Sequence, residues 1–279
     1  MVHCQSKEKN RLHIIERLFW HLKNENNLLR WIVSRFLFYT GIGRIFTVNC
    51  GLYKICFFPS GLSLAKWLNP SYGNDDEYFL RRVLRPKDTV IDVGANIGTV
   101  SLASASLVGQ QGRIIAFEPN PRIFNFLKKN VYLNRFNNVI LHNCAVGDRQ
   151  GEVCFSDQRC DDQNKIIPQG GQKVPMTTLD EQLFSIQGGI KLLKVDVEGY
   201  EKFVFMGASK TLSRSEYIYF EVYDPHFMPL GYTTGELLQM LKSYGFCFYQ
   251  IDEGGKEIAL DTDFIPKKCM NILGKRIAN

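Results

Sequence analysis

Asp92, Gly94, Asn96 and Gly98 follow directly on the β-branched apolar run Thr89-Val90-Ile91, and their types and spacing suit a cofactor turn. Glycines at 94 and 98 let backbone approach a ligand with no Cβ in the way. The amides that open the helix beyond them can bind an anionic group. A dinucleotide turn reads G-x-G-x-x-G, whereas this one reads D-x-G-x-x-x-G, with Asn96 where the middle glycine belongs. A carboxylate at the strand end, Asp92, is a poor neighbour for a pyrophosphate. It suits a ligand that carries positive charge, such as the ammonium and sulfonium of S-adenosylmethionine. Glu118 lies 20 residues past Gly98 and ends the next strand, the place from which a carboxylate takes two ribose hydroxyls. The combination favours S-adenosylmethionine over a nicotinamide cofactor.

Further polar groups close the later strands: Asn143, Asp196 with Glu198, and Glu221, with His226 on the loop after the fifth strand. One such residue alone reads equally well as the cap of the following helix. Five strand ends equipped this way point to one rim, since ligands of open α/β sheets bind at the carboxyl ends of the strands.

The elements that must hold this rim are legible as alternating patterns. Strands are predicted at 89–93, 113–117, 138–142, 191–195, 217–220 and 246–251, separated by helical stretches. One of these helices opens at Pro121, and another is capped at Thr233 or Thr234 and ended by Gly245. Gly151 to Phe155 reads as a hairpin, and Ser156 to Gln172, polar and with Gly170-Gly171, as a mobile loop. Such alternation predicts an open α/β sheet with right-handed crossovers. Ahead of it, residues 1–45 read as two helical pieces, one through Ile14 to Leu22 and an aromatic one from Leu28 to Tyr39. Residues 46–60 read as a short hairpin. The predicted division is an extension over 1–75 and a catalytic domain over 76–279.

Composition narrows the function classes. The chain has 279 residues and a net charge of +6, and residues 1–45 carry eight Lys/Arg against three Glu. The expected working domain is therefore close to neutral, which disfavours a nucleic-acid substrate. The basic segment is expected to pack as a helical layer, the sharper alternative being peripheral contact with an anionic membrane or cover for a lipid-like acceptor. Eight cysteines are scattered singly with no C-x-x-C pair, so neither zinc nor a disulfide frame is expected. No signal-peptide pattern opens the chain, and a cytoplasmic protein with reduced thiols is the expectation.

Val90-Ile-Asp-Val-Gly-Ala-Asn-Ile-Gly98, Ala116-Phe-Glu-Pro-Asn120, Ala145-Val-Gly-Asp148, Thr178-Leu-Asp180 and Lys194-Val-Asp-Val-Glu-Gly199 resemble, in order and spacing, the motifs of the FkbM family of S-adenosylmethionine-dependent methyltransferases. The resemblance covers about residues 76–250. It implies a class I methyltransferase fold, a Rossmann-like and mostly parallel seven-stranded sheet with helices on both faces and its last strand reversed. That last strand would come from the tail, around Glu257 to Ile272. It further implies that Gly94 to Gly98 pass the methionine tail with Asp92 near its ammonium. Glu118 would hold the ribose, Asn143 and Ala145 would border the adenine, and Asp196 would stand beside the methyl group.

A hydroxyl acceptor must lose a proton, and Asp196 and Glu198 are the candidate bases, with His226 behind them. Asp196 with Glu221 could hold Mg²⁺, but nothing in the pattern requires an ion and no metal is assigned. The reading is an O-methyltransferase acting on a small-molecule, sugar or glycolipid-like acceptor. The alternatives are a non-catalytic cofactor- or glycolipid-binding module and a nicotinamide-dependent oxidoreductase.

Overall fold

The computed structural model describes residues 28–40, 42–156, 164–251 and 256–277. The predicted helix through Ile14 to Leu22 lies outside them, as does the middle of the predicted polar loop. The described part begins with α1 (Leu28–Thr40), the hairpin β1 (Thr47–Asn49) and β2 (Lys54–Cys56), then α2 (Gly61–Leu68) and α3 (Asn74–Val83). There follow β3 (Thr89–Val93), α4 (Thr99–Val108), β4 (Arg113–Phe117), α5 (Pro121–Leu133) and β5 (Val139–His142). A smaller unit contributes β6 (Ala145–Val146), β7 (Gly151–Phe155), β8 (Ile166–Ile167) and β9 (Gln172–Thr177). The remainder is α6 (Leu179–Gln182), β10 (Ile190–Val195), α7 (Glu201–Met206), α8 (Ser209–Ser213), β11 (Ser215–Val222), α9 (Asp224–Phe227), α10 (Thr234–Lys242), β12 (Phe246–Ile251), β13 (Glu257–Leu260) and β14 (Met270–Arg276).

The main sheet has the order β13-β12-β14-β11-β10-β3-β4-β5. β3, β4, β5, β10 and β11 run parallel to one another, and β14 runs antiparallel between β11 and β12. This is the predicted α/β class, with two adjustments. The reversed strand is Met270–Arg276, and Glu257–Leu260, placed in that strand by its sequence, forms an eighth strand at the edge beside β12. Burial on both faces explains why the central strands are near-continuous apolar runs. Val90 packs into the core on one face while Ile91 and Val93 pack on the other, as the two-residue period of a strand requires.

Helix ends follow their sequence signals. Asn120 accepts from the amides of Arg122 and Ile123 ahead of Pro121. Thr233 and Glu236 close a reciprocal capping box on α10. The hairpin of the extension is pinned by α5: Asn130 Oδ1 accepts from Cys56 N at 2.9 Å, and its Nδ2 donates to the carbonyl of Ile97 at 2.8 Å. Ile55 and Phe58 enter the same core as Val90 and Leu127, and Phe58 stacks on Phe126 at 4.2 Å. The extension is thus fastened to the glycine turn it precedes.

The region after β5 departs from its predicted form. Gly151–Phe155 is one strand of a four-stranded sheet ordered β6-β9-β7-β8, and residues 166–167 and 172–177 supply its partners. The predicted loop therefore includes strand β8 and the first residue of β9, while residues 157–163 lie outside the described part. Among the described residues no helix is long and apolar enough to cross a membrane, and the described cysteines carry free thiols.

Candidate active site

A cavity of about 600 Å³ opens at the carboxyl ends of β3, β4 and β10. Gly94, Asn96, Glu118, Ala145, Asp196 and Glu198 all line it, so six of the predicted positions converge. Its other walls come from α2, α3 and the smaller sheet, through residues such as Lys66, Asp76, Phe155 and Ile166.

The glycine turn is built from inside. Gly94 N and Ala95 N both donate to the carbonyl of Phe117, Asn96 N donates to Glu118 Oε2 at 3.0 Å, Ile97 N to Asn96 Oδ1, and Gly98 N to the carbonyl of Ala95. Every amide from Gly94 to Gly98 is therefore engaged within the chain. The turn itself has no donors to spare for a pyrophosphate, which needs them; the anion-binding role expected of the helix-opening amides concerns Thr99 and Val100, beyond this turn. Glu118 is nearly buried; its Oε1 accepts from Asn120 N at 2.8 Å and its Oε2 from Asn96 N. Held in this way it presents a fixed carboxylate to the cavity, fit for a vicinal diol.

Three predicted cofactor positions take other places. Asp92 is fully buried below the cavity, with Oδ2 accepting from Ser101 Oγ at 2.5 Å and Oδ1 3.4 Å from Lys194 Nζ. It does not line the cavity, so the ammonium contact predicted for it does not hold. Asn143 turns its Nδ2 to the carbonyls of Glu118 and Pro119. It shapes the strand end, and Cys144 with Ala145 faces the cavity instead. Gly98 opens α4 at φ +99, where a Cβ would stand 2.5 Å from Leu127 Cδ1.

Lys194, two residues before Asp196, gathers the acidic groups. In the β3–β10 register it is the direct partner of Asp92. Its Nζ donates to the carbonyl of Gly94 at 2.9 Å and lies 3.4 Å from both Asp92 Oδ1 and Asp196 Oδ2. Burial opposes its charge, but Asp196, Asp92 and Asp76 outweigh burial and hold the ammonium above its ordinary range. The lysine stands inside a predicted motif, yet only the strand order reveals its partners.

Beyond Val195 the chain leaves the sheet. Glu198 has φ +56 and Gly199 φ +106, a tight turn that brings Asp196 and Glu198 to the same cavity. Outside the cavity, His226 Nδ1 lies 3.6 Å from Glu198 Oε2 and 3.8 Å from Glu221 Oε2, buried and with no hydrogen-bond partner. Burial, with the Lys165 charge, lowers the His226 pKa, and Asp196 opposes them. Burial and the nearby Asp196 carboxylate push Glu221 up to about 7, against the thiol of Cys269, which donates to its Oε1 at 2.7 Å. Glu198, Glu221 and His226 each bring a ligand atom within 4.8 Å of the other two, a spacing that could hold a metal ion.

The 196–200 turn rests on Glu201, which is fully buried and accepts from Val197 N at 2.9 Å while its Oε2 has no partner. Burial pushes its carboxyl up to about 8 from an unfolded value near 4.5. The folded state therefore keeps a proton that the unfolded state releases, so this group makes stability fall as pH rises from about 4.5 to 8 and level off above. The expected loss is on the order of a few kcal/mol. Urea unfolding from pH 5 to 9 reads it, and Glu201→Gln should flatten that slope; an unchanged slope would mean that another group is responsible.

The matching domain model is the methyltransferase FkbM domain, aligned over residues 92–248, more than half of the chain. Among curated proteins, Methyltransferase 1 of Beauveria bassiana is 27% identical over 148 residues, covering 44% of this chain and 59% of that protein. The hexuronic acid methyltransferase AglP of Haloferax volcanii is 28% identical over 141 residues, 49% of this chain and 56% of that protein. The 2-O-methyltransferase NoeI of Sinorhizobium fredii is 24% identical over 181 residues, 57% and 73% respectively. The chain thus spans less than three fifths of the first two relatives. With strand order, cavity and motifs in agreement, the chain belongs to the FkbM family of S-adenosylmethionine-dependent methyltransferases.

Proposed function

We propose that this protein methylates a hydroxyl oxygen of a small-molecule, sugar or glycolipid-like acceptor. The observation that carries the reading is the placement of two carboxylates, Asp196 and Glu198, on the wall of the cavity that also holds Glu118 and Gly94. Bound there, S-adenosylmethionine supplies an electrophilic methyl carbon on a positively charged sulfur. Glu118 holds the ribose hydroxyls. The engaged amides of the turn keep its backbone rigid, and Asp196 and Glu198 orient the acceptor hydroxyl, so that much of the rate comes from alignment.

The proton of that hydroxyl goes to Asp196 or Glu198 as attack proceeds. Glu198 can pass it to His226 Nδ1, with Glu221 close to the same nitrogen and its pKa of about 7 near working pH. The names of two relatives support parts of this reading, a hexuronic acid methyltransferase the sugar-like acceptor and a 2-O-methyltransferase the methylation at oxygen.

Thermal unfolding with S-adenosylhomocysteine, NAD or NADP gives the first test. Ligand at a hundred times its dissociation constant adds about 2.7 kcal/mol, roughly a 5–10 °C rise in midpoint. A rise with S-adenosylhomocysteine alone is expected, followed by a radiolabelled methyl-transfer screen over monosaccharide, uronic acid and glycolipid acceptors. Glu118→Ala should weaken S-adenosylhomocysteine about 10- to 100-fold by calorimetry; undiminished affinity would sink the ribose assignment. Asp196→Ala should lower turnover about 100- to 10,000-fold with a much smaller change in cofactor affinity. Surviving turnover would move the base to Glu198.

A further inference from the structure

One wall of the cavity is formed by the extension, ahead of the residues that match the family. Lys66, on α2, lines it and is only 2% exposed. Its Nζ has two long contacts, 3.3 Å to the carbonyl of Pro70 and 3.4 Å to Asn74 Oδ1, both neutral oxygens. Burial lowers its pKa, opposed by the carboxylates of Glu77 and Asp76. A buried ammonium held by neutral oxygens at such lengths is costly unless an anion completes it.

Opposite charges stand close by on α3. Asp76 lines the cavity, and its Oδ1 accepts from Tyr219 Oη at 2.9 Å. Glu77 also lines it; Arg81 occupies Oε1, whereas Oε2 is buried and has no hydrogen-bond partner. Thr99 and Val100, in the first turn of α4, line the cavity as well. This wall thus offers one desolvated cation and an unsatisfied carboxylate oxygen, a pair complementary to a zwitterion.

We infer that Lys66 and the Asp76–Glu77 pair form a clamp for the amino-acid end of the cofactor, Lys66 taking its α-carboxylate and the two acids its α-ammonium. The inference rests on the methyl-donor reading of the cavity. It gives the ammonium contact to a part of the chain outside the family's matched residues, in place of the buried Asp92. It also makes α2 and α3 specificity elements, because they select a nucleoside that carries an amino acid.

Calorimetry on the full chain with S-adenosylhomocysteine, its decarboxylated analogue and 5′-methylthioadenosine tests the clamp without turnover. 5′-Methylthioadenosine keeps the adenosine and the sulfur but lacks the amino acid. The wild-type protein should bind S-adenosylhomocysteine about 10- to 100-fold more tightly than 5′-methylthioadenosine, as charge-assisted hydrogen bonds imply. Lys66→Met should cost S-adenosylhomocysteine about tenfold or more and leave the decarboxylated analogue and 5′-methylthioadenosine within threefold. The pair Asp76→Asn with Glu77→Gln should weaken both amine-bearing ligands and spare 5′-methylthioadenosine.

Equal wild-type affinity for S-adenosylhomocysteine and 5′-methylthioadenosine would overturn the clamp and leave the cofactor reading standing. So would variants that lose all three ligands equally, the mark of a structural role. Wild-type protein that binds none of the three would remove the cofactor reading and the clamp with it.

Discussion

Gly94→Ala is expected to yield little folded protein, and what folds should bind S-adenosylhomocysteine at least tenfold more weakly. A Cβ at this position would stand 1.8 Å from the carbonyl oxygen of Asp196 and 2.9 Å from its carbon, and the residue sits at φ +79. Both obstacles are backbone, so no rotamer relieves them. The ends of β3 and β10 would have to separate, and with them Lys194, whose Nζ donates to the carbonyl of Gly94. Gly188→Ala is the control, because Gly188 has φ +93 and nothing within 4 Å of an added methyl group. It should lose only the backbone cost of positive φ, about 1–2 kcal/mol. Thermal melts of the two variants separate strain from collision. A Gly94→Ala protein as stable as Gly188→Ala would mean that the two strand ends have room to spare.

Lys194→Met should be the most destabilising of the charge substitutions. Asp92 is fully buried and Lys194 is its cation; removing one partner of a buried pair leaves an uncompensated charge, at a cost of about 3–5 kcal/mol. The midpoint should fall by roughly 10 °C. Asp92→Asn added to Lys194→Met should recover much of the loss, since the neutral amide keeps an oxygen for Ser101 and needs no cation. Urea unfolding of both singles and the double completes the cycle. Additive losses, with no recovery in the double, would show that Lys194 acts on Asp196 and the Gly94 carbonyl and has little to do with Asp92.

Most of the sheet is legible in the sequence because its strands are buried on both faces and so carry long apolar runs between helical stretches. The strand-end carboxylates are legible for the same reason, each following the last apolar residue of its run. Partnerships across the sheet are not. Asp92 and Lys194 are about a hundred residues apart, and which strand lies beside β3 is not encoded in the periodicity of either. Asp92 therefore reads as a ligand group in sequence and proves to be half of an internal ion pair.

Part of the smaller sheet escapes a reading by pattern because β6 and β8 are two residues long and β9 contains Pro175, which argues against a strand unless the position lacks a ladder donor. α2 does carry a signal: Ser60 caps it, accepting from Ser63 N at 3.1 Å. With no acidic residue in its first turn the signal is faint, and Lys66 stays hidden with it. Asp180, part of the Thr178-Leu-Asp180 motif, turns out to cap α8 through the amides of Lys210 and Thr211.

The position of β14 has a bearing on how the protein is made. Residues 270–276 fill the slot between β11 and β12 and bring Ile272 and Leu273 into the two cores. During synthesis, β5 through β11 can assemble, but β12 emerges with no neighbour to pair with in the main sheet except β13 until β14 has left the ribosome. Until then β11 presents an open, apolar edge, the kind of surface on which nascent chains associate wrongly. A ribosome that stops short of residue 270 would therefore release a chain bearing almost every residue of the site and yet prone to aggregate.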